Sequence, residues 1–198
     1  MSFDWATVVS AIMGAFVGGL ITGFFAIKAT TKSFEHQKQV ADEEEKKVIK
    51  GLLQAIHDEM ETINKRYHET MGDRLESLPE GKELRFYYPL FSEYFTVYNG
   101  NSFLIGRIPD NDLRKQIVKT YTMAKGMVDS FKMNNYLLEQ YESAYKMHIE
   151  TQRAVYNQQT KAYLKILVDY AMTLKDEHNK LKNEITTLLE GLKKWNSK

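Results

Sequence analysis

The sequence contains no cysteine and little proline, and it has no surplus of charge of either sign. Without cysteine it can form neither a disulfide framework nor a thiolate zinc site, a composition that fits a cytoplasmic body. The 27 basic residues nearly balance the 26 acidic ones, so the composition does not indicate a polyanionic partner. All three prolines lie between residues 79 and 109, which leaves the chain on either side free to form long helices.

Only one long uncharged run is present. It covers the 23 residues from Trp5 to Ile27 and is followed closely by Lys28, Lys32 and Lys38. A helix of this length spans about 35 Å, enough for a hydrocarbon core about 30 Å thick. No basic residue precedes the run and no small-residue cleavage site ends it, which argues against a secretory signal peptide.

The lysines after the run predict its orientation. By the positive-inside rule they place the following chain in the cytoplasm. We therefore expect residues 1–28 to form a single-pass transmembrane helix. Residues 29–198 are then one cytoplasmic helical bundle domain, a length typical of a single domain.

Small residues form two neighbouring ridges with a four-residue repeat along the uncharged run. In lipid, helices associate by close backbone approach at small residues, and two ridges allow each helix to contact two neighbours in a ring. A pore of this kind would be gated by a hydrophobic constriction, because the run has no ionisable residue. The alternative is an ordinary anchor, in which glycine is common. The predicted oligomerisation or pore positions are Ser10, Ala11, Gly14, Ala15, Gly18, Gly19, Thr22 and Gly23.

Helical periodicity dominates the remaining chain. Apolar residues recur at spacings of three and four from about Ser33 to Met71, with Val48 as the first of the apolar face. The spacing resumes after Asp110, a suitable N-cap, where Ile117, Tyr121 and Ala124 share one apolar face. The last third continues this spacing to Trp195, with one slip near Glu177-His178. Since one helix over the whole second half would be too long, we expect a reversal at residues 157–160.

Residues 72–109 contain the turn signals and a block rich in aromatic residues. A short helix is expected here, beginning at Pro89 and closed by Asn99-Gly100. Core packing or subunit contact is a commoner use of such a block than stacking on nucleobases. The predicted fold is all-α, with the transmembrane helix followed by an antiparallel bundle of three to four long helices.

Motifs for chemistry are scarce. There is no phosphate-binding loop, nucleophile elbow or HExxH motif. His57 and Glu61 would supply only two metal ligands and are interpreted as part of a solvated face. We therefore predict no metal and no cofactor, and no small-molecule substrate is evident. Asp58, Glu59 and Glu61 are interpreted as surface charges.

One polar pair suggests nucleic-acid chemistry. Arg153 and Asn157 would lie one turn apart on a predicted helix. Ribonucleases with the HEPN fold use an arginine followed four to six residues later by a histidine, which transfers the proton. Here residues 158–160 are Gln, Gln and Thr, and His148 precedes the arginine instead. A structural arginine is therefore favoured over a catalytic one.

The anchor, the helical bundle and the degenerate Arg153…Asn157 pair together resemble the small membrane accessory proteins encoded beside RNA-guided type VI CRISPR ribonucleases. Residues 98–110 and 117–126, with Asn134-Asn135, also look like a group of small bacterial membrane proteins. Some members of that group accompany phage-defence operons, including retrons. The resemblance implies a HEPN-like bundle, an oligomeric membrane pore and a role in antiviral defence, with an RNA-guided nuclease system or RNA as partner.

Three functions follow as hypotheses. The first is a non-enzymatic antiviral accessory or effector protein that forms a homo-oligomeric ring through its glycine-rich helix and perturbs the lipid bilayer. The second is a membrane-tethered HEPN-like RNA-binding protein or ribonuclease that uses Arg153 and Asn157. The third is a passive membrane scaffold for a soluble partner.

Overall fold

The computed structural model describes residues 5–89 and 94–196. Every regular element within these ranges is helical, which confirms the predicted all-α class. The elements are α1 (Trp5–Tyr67), a π-helical segment (His68–Gly72), α2 (Asp73–Glu76), α3 (Thr96–Gly100), α4 (Ser102–Ile105), α5 (Asn111–Thr151) and α6 (Ala154–Asn196).

The chain divides into two compact units, residues 1–48 and residues 49–198. The first unit contains the N-terminal part of α1, on which Phe24, Phe25 and Phe34 are exposed. Among the residues that the structure describes, no helix combines the length and the apolar character needed to cross a membrane. The predicted anchor at residues 1–28 and its boundary stay predictions.

The second unit is a bundle of three long helices. Residues 49–67 of α1 pack against α5 and α6, and the last two form an antiparallel hairpin. Two contacts show that α1 runs parallel to α5: the Tyr121 hydroxyl reaches Glu59 at 2.8 Å, and the rings of Tyr67 and Phe131 lie 6.2 Å apart. The expected antiparallel arrangement therefore holds only for α6, because the connection 68–110 carries the chain back before α5 begins. The fully buried side chains of the bundle include Leu53, Ile56, Met60, Ile117, Tyr121, Phe131, Leu174 and Leu188.

The connection between α1 and α5 is irregular, as predicted, with a shorter helix than expected. The helix ends at Gly100 but begins at Thr96 rather than at Pro89. Phe95, which precedes it, has a left-handed φ of 68° and so cannot continue a helix from the N-terminal side. Tyr88 and Phe95 are buried, which confirms core packing for these two aromatic residues, whereas Phe103 is exposed.

The hairpin reverses earlier than predicted. The turn lies at Gln152 and Arg153, not at residues 157–160. Gln152 adopts a left-handed φ of 55°, and its N–H donates to the His148 carbonyl at 2.8 Å. At the other end of α5 the Asp110 carboxylate accepts from the N–H groups of Asp112 and Leu113, so the predicted N-cap is confirmed.

Candidate functional site

A polar network around one buried histidine joins α1, α2 and α6; its Glu76 and Lys182 are exposed. His178 of α6 is completely buried, and its Nδ1 lies 2.8 Å from the Tyr67 hydroxyl. Its Nε2 lies 3.2 Å from a carboxylate oxygen of Glu76, which also accepts a hydrogen bond from Lys182 Nζ at 2.7 Å. We refer to these four residues as the His178 network.

The π-helical segment packs against the ring of His178. Gly72 ends the segment, and a Cβ there would lie 2.7 Å from His68 Nδ1 and 3.4 Å from His178 Cε1. The rings of His68 and His178 are 5.8 Å apart in an edge-on arrangement. Glycine at position 72 therefore allows two imidazoles to approach the same turn, and π-helical turns often occur at functional sites.

The surroundings of the His178 network change its protonation. Burial lowers the pKa of His178, and the hydrogen bond and charge of Glu76 oppose this effect. Burial also raises the pKa of Tyr67, with smaller contributions from Tyr88 and Glu76. The hydrogen bonds from Lys182 and His178 lower the pKa of Glu76. At neutral pH the network therefore holds a neutral imidazole beside a carboxylate.

The geometry defines what the network can do. A neutral His178 accepts from the Tyr67 hydroxyl at Nδ1 and donates from Nε2–H to Glu76, so both ring nitrogens have partners. Since His178 has no exposed surface, its ring cannot contact a substrate. The network therefore ties three elements together in a protonation-dependent way. The one sequence signal for it is the slip at Glu177-His178, because the histidine occupies a core position.

Glu59 is the centre of a second network. Its carboxylate accepts hydrogen bonds from the backbone N–H groups of Val97 and Tyr98, at 2.7 and 3.2 Å, and from the Tyr121 hydroxyl at 2.8 Å. These bonds hold the first turn of α3 against α1 and α5. Burial, followed by the hydrogen bond to Glu59, raises the pKa of Tyr121. The interpretation of Glu59 as a surface charge is therefore wrong.

The other charged positions near Glu59 behave differently. His57, predicted to face solvent with Glu61, is buried, and its Nδ1 lies 3.2 Å from Asp58. Asp58 and Glu61 are exposed, as predicted. Within residues 5–89 and 94–196, no group of three or more His, Cys, Asp or Glu side chains could hold a metal ion.

An apolar cavity of about 140 Å³ lies in the second unit beside Tyr67. Aromatic and aliphatic side chains from α1, α5, α6 and the α1–α5 connection form its walls, among them Met60, Tyr88, Phe95, Phe131 and Leu181. The walls offer almost no polar surface to orient a ligand. The cavity opens to the surface beside Thr62 and Arg66, and its walls alone assign no ligand to it.

The positions predicted to mediate oligomerisation all lie on α1. A Cβ added at Gly14, Gly19 or Gly23 would have no described atom of a neighbouring element within 4 Å, so packing within the chain does not require glycine there. Thr22 is exposed. The side chains at positions 10, 11, 15 and 18 lie outside the described residues.

The structure places the predicted nucleic-acid pair at the turn between α5 and α6. Arg153 lies in the exposed turn and not on a helix, whereas Asn157 is partly exposed on the first turn of α6. His148 is near the end of α5, and its buried Nδ1 has no hydrogen-bond partner among the described residues. No hydrogen bond joins these three residues in the part of the chain that the structure describes. The expectation that Arg153 and Asn157 share one helix is wrong, and a role in RNA cleavage stays a prediction.

Comparison with protein-family models, curated proteins and solved structures finds no match to this chain. The resemblance to CRISPR accessory proteins and the HEPN-like character of the bundle therefore stay predictions.

Proposed function

We propose that this protein is a membrane-anchored, self-associating accessory or effector protein of antiviral defence in the bacterial inner membrane. The observation that carries the proposal is the uncharged run from Trp5 to Ile27, followed by lysines at positions 28, 32 and 38. This run is long enough to cross a bilayer as a helix, and its flanks favour a cytoplasmic body.

Association is proposed to occur through the small-residue ridges of this run. Glycine is tolerated in a helix only at a cost in conformational entropy of roughly 0.5–1 kcal/mol relative to alanine. No described atom lies near the Cβ positions of Gly14, Gly19 and Gly23, so packing within the chain does not explain these glycines. Close contact between helices of different copies would explain them. A ring built in this way would perturb the membrane when its subunits rearrange.

The helical bundle is proposed to regulate this assembly rather than to catalyse a reaction. Its most distinctive polar group, His178, is closed to substrates but links α1 to α2 and α6. A signal that separates these elements would disrupt the bundle at the C-terminal end of α1.

The test is the mass of the full chain in nanodiscs, measured by light scattering. We expect a discrete assembly of several subunits, and we expect Gly14→Leu, Gly18→Leu and Gly19→Leu together to dissociate it and abolish phage protection. A matched control replaces bulky residues of the same run, with Phe16→Leu and Phe24→Leu, and should leave the mass unchanged. A monomeric wild-type chain, or full protection by the triple glycine variant, would contradict the proposal.

A passive membrane scaffold is the second candidate. It is favoured by Met133 and Tyr136, exposed apolar side chains one turn apart on α5, which suit contact with another protein. This function predicts that an unrelated single-pass anchor can replace residues 1–28 without loss of activity. The proposed self-associating function predicts that the replacement abolishes activity.

A further inference from the structure

The apolar cavity beside Tyr67 is open to solvent on one side. Its mouth lies beside Thr62 and Arg66, which are both exposed. Its inner walls include Met60 and Met127, which are buried. Water that enters this cavity finds few polar partners, because the walls are almost entirely apolar. An apolar group that replaces this water therefore gains free energy.

The volume of the cavity limits the size of that group. It is about 140 Å³. A closed apolar cavity of about 150 Å³ is large enough to bind benzene, so this one accommodates a single aromatic ring. Rings already line the space, among them Tyr88, Phe95 and Phe131, and offset or edge-on contacts with a further ring are favourable. A single aromatic ring therefore fits the cavity both in size and in chemistry.

Arg66 places a positive charge at the mouth of the cavity. Within the part of the chain that the structure describes, its guanidinium has neither an ion pair nor a hydrogen bond. Glu69, three residues later, is exposed and does not pair with it. Arg85, by contrast, forms an ion pair with Glu83. The guanidinium of Arg66 is therefore available to an anion from outside the chain.

Hydroxyl groups lie near this guanidinium. Burial, followed by the neighbouring Tyr94 hydroxyl, raises the pKa of Tyr88. The Thr70 hydroxyl and the charge of Arg66 act on Tyr88 in the opposite direction and lower its pKa. Tyr88 and Tyr94 also line the cavity. A guanidinium and two tyrosine hydroxyls therefore lie near one another on one side of the cavity, and all three can donate hydrogen bonds to a carboxylate.

We propose that this cavity binds a small carboxylic acid whose aromatic ring enters the apolar space and whose carboxylate pairs with Arg66 at the mouth. The planar guanidinium matches the two oxygens of a carboxylate, which favours an acid over a neutral compound of the same shape. One arginine balances one negative charge, so a carboxylate fits better than a phosphate monoester, which carries nearly two. The site belongs to the helical bundle, and it does not rest on the function proposed above.

Methionine methyl groups report the position of the ligand directly, because Met60 and Met127 line the cavity. The full-length chain, isotopically labelled at its methionine methyl groups, is placed in nanodiscs and titrated with phenylacetate. An aromatic ring shifts the NMR signals of nearby methyl groups. We therefore expect the signals of Met60 and Met127 to move and to saturate with a Kd below about 1 mM. Met133 and Met172 are exposed, do not line the cavity and serve as internal controls, whose signals should not move.

Charge specificity is tested with phenylacetamide, which has the shape of phenylacetate but no charge. The amide should bind about tenfold more weakly than the acid. Arg66→Gln should weaken phenylacetate binding about tenfold and leave phenylacetamide binding unchanged, because only the acid carries a charge that pairs with the guanidinium. Lys65→Gln is the matched control. Lys65 is the neighbouring exposed cation on α1 and does not line the cavity, so its replacement should change either affinity by less than about twofold.

Four results would overturn the proposal: no saturable shift at Met60 and Met127, equal shifts at Met133 and Met172, equal affinities for the acid and the amide, or an unchanged affinity in Arg66→Gln. The three glycine replacements in the N-terminal run distinguish this proposal from the one above. They should dissociate the assembly proposed for that run and leave the shifts of Met60 and Met127 intact, because they lie outside the unit that contains the cavity.

Discussion

Replacing His178 with glutamine should remove a pH dependence of stability from the folded protein. In the wild-type chain the imidazole is completely buried between Tyr67 and Glu76. Glutamine can keep one of the two hydrogen bonds but cannot take up a proton in this pH range. The loss of one buried hydrogen bond should cost about 1–3 kcal/mol at pH 7.5.

The direction of the pH effect follows from the lowered pKa of His178. As the pH falls below about 6.5, histidine in the unfolded chain takes up a proton, whereas the buried imidazole stays neutral. The stabilisation is therefore complete above about pH 6.5 and declines as the pH falls toward the folded-state pKa. The slope is at most about 1.4 kcal/mol per pH unit, so the loss down to pH 5 is at most about 2 kcal/mol.

The other titrating groups of the network act outside this range. The lowered pKa of Glu76 affects stability below about pH 4.3, and the raised pKa of Tyr67 affects it above about pH 10. Lys182 and His68, whose ring faces His178, are present in both wild type and variant. The difference between the two chains from pH 7.5 to 5 therefore reports His178.

The assay is urea unfolding in mild detergent, followed by circular dichroism at several pH values. His36→Gln is a matched control, because His36 is exposed on α1, outside the His178 network, and its replacement should leave the contribution of His178 intact. If His178→Gln keeps the wild-type slope, the reasoning is refuted. Should the variant fail to fold, NMR titration of the wild-type histidine rings gives the same information, and a normal midpoint for His178 would contradict the prediction equally.

Further predictions concern stability and are measured by urea or thermal unfolding. Glu59→Ala should destabilise the chain by about 2–4 kcal/mol, because buried donors on Tyr121 and α3 lose a charged acceptor, whereas Glu61→Ala should change stability by less than about 0.5 kcal/mol. Equal effects would contradict a role for Glu59 in anchoring α3. Asp110→Ala should cost about 1 kcal/mol through loss of the N-cap, and Asp110→Asn should cost little. Gln152→Gly should stabilise by about 0.5–1 kcal/mol by relieving the left-handed φ, and a loss of stability would place the turn elsewhere.

The helical class and the core positions could be predicted because they depend on local periodicity. The 3–4 spacing of Ile117, Tyr121 and Ala124 identifies a buried face whatever the partner helix is, and these residues are buried. The N-cap at Asp110 could be predicted for the same reason, since a cap acts within its own turn. At Val48 the pattern failed by one residue: Ile49 is buried and Val48 is half exposed.

The candidate site could not be predicted, because its residues are distant in the sequence and their types are ordinary. Tyr67, Glu76 and His178 meet only through the packing of α1, α2 and α6, and no spacing rule links them. The turn at Gln152 could not be predicted for another reason. A left-handed residue at a helix end is usually glycine or asparagine, so a glutamine there gives no signal.

The hydrogen bond between Tyr67 and His178 also constrains how the chain folds during synthesis. The two residues are separated by 111 positions, whereas α5 and α6 are joined by a two-residue turn. At translation rates of about 5–20 residues per second, His178 leaves the ribosome roughly 5 to 20 seconds after Tyr67. During that interval the apolar side of α1, with Ile56 and Met60, has no α6 to cover it. A nascent chain stopped before residue 178 is therefore the form of this protein that we expect chaperones to bind most strongly.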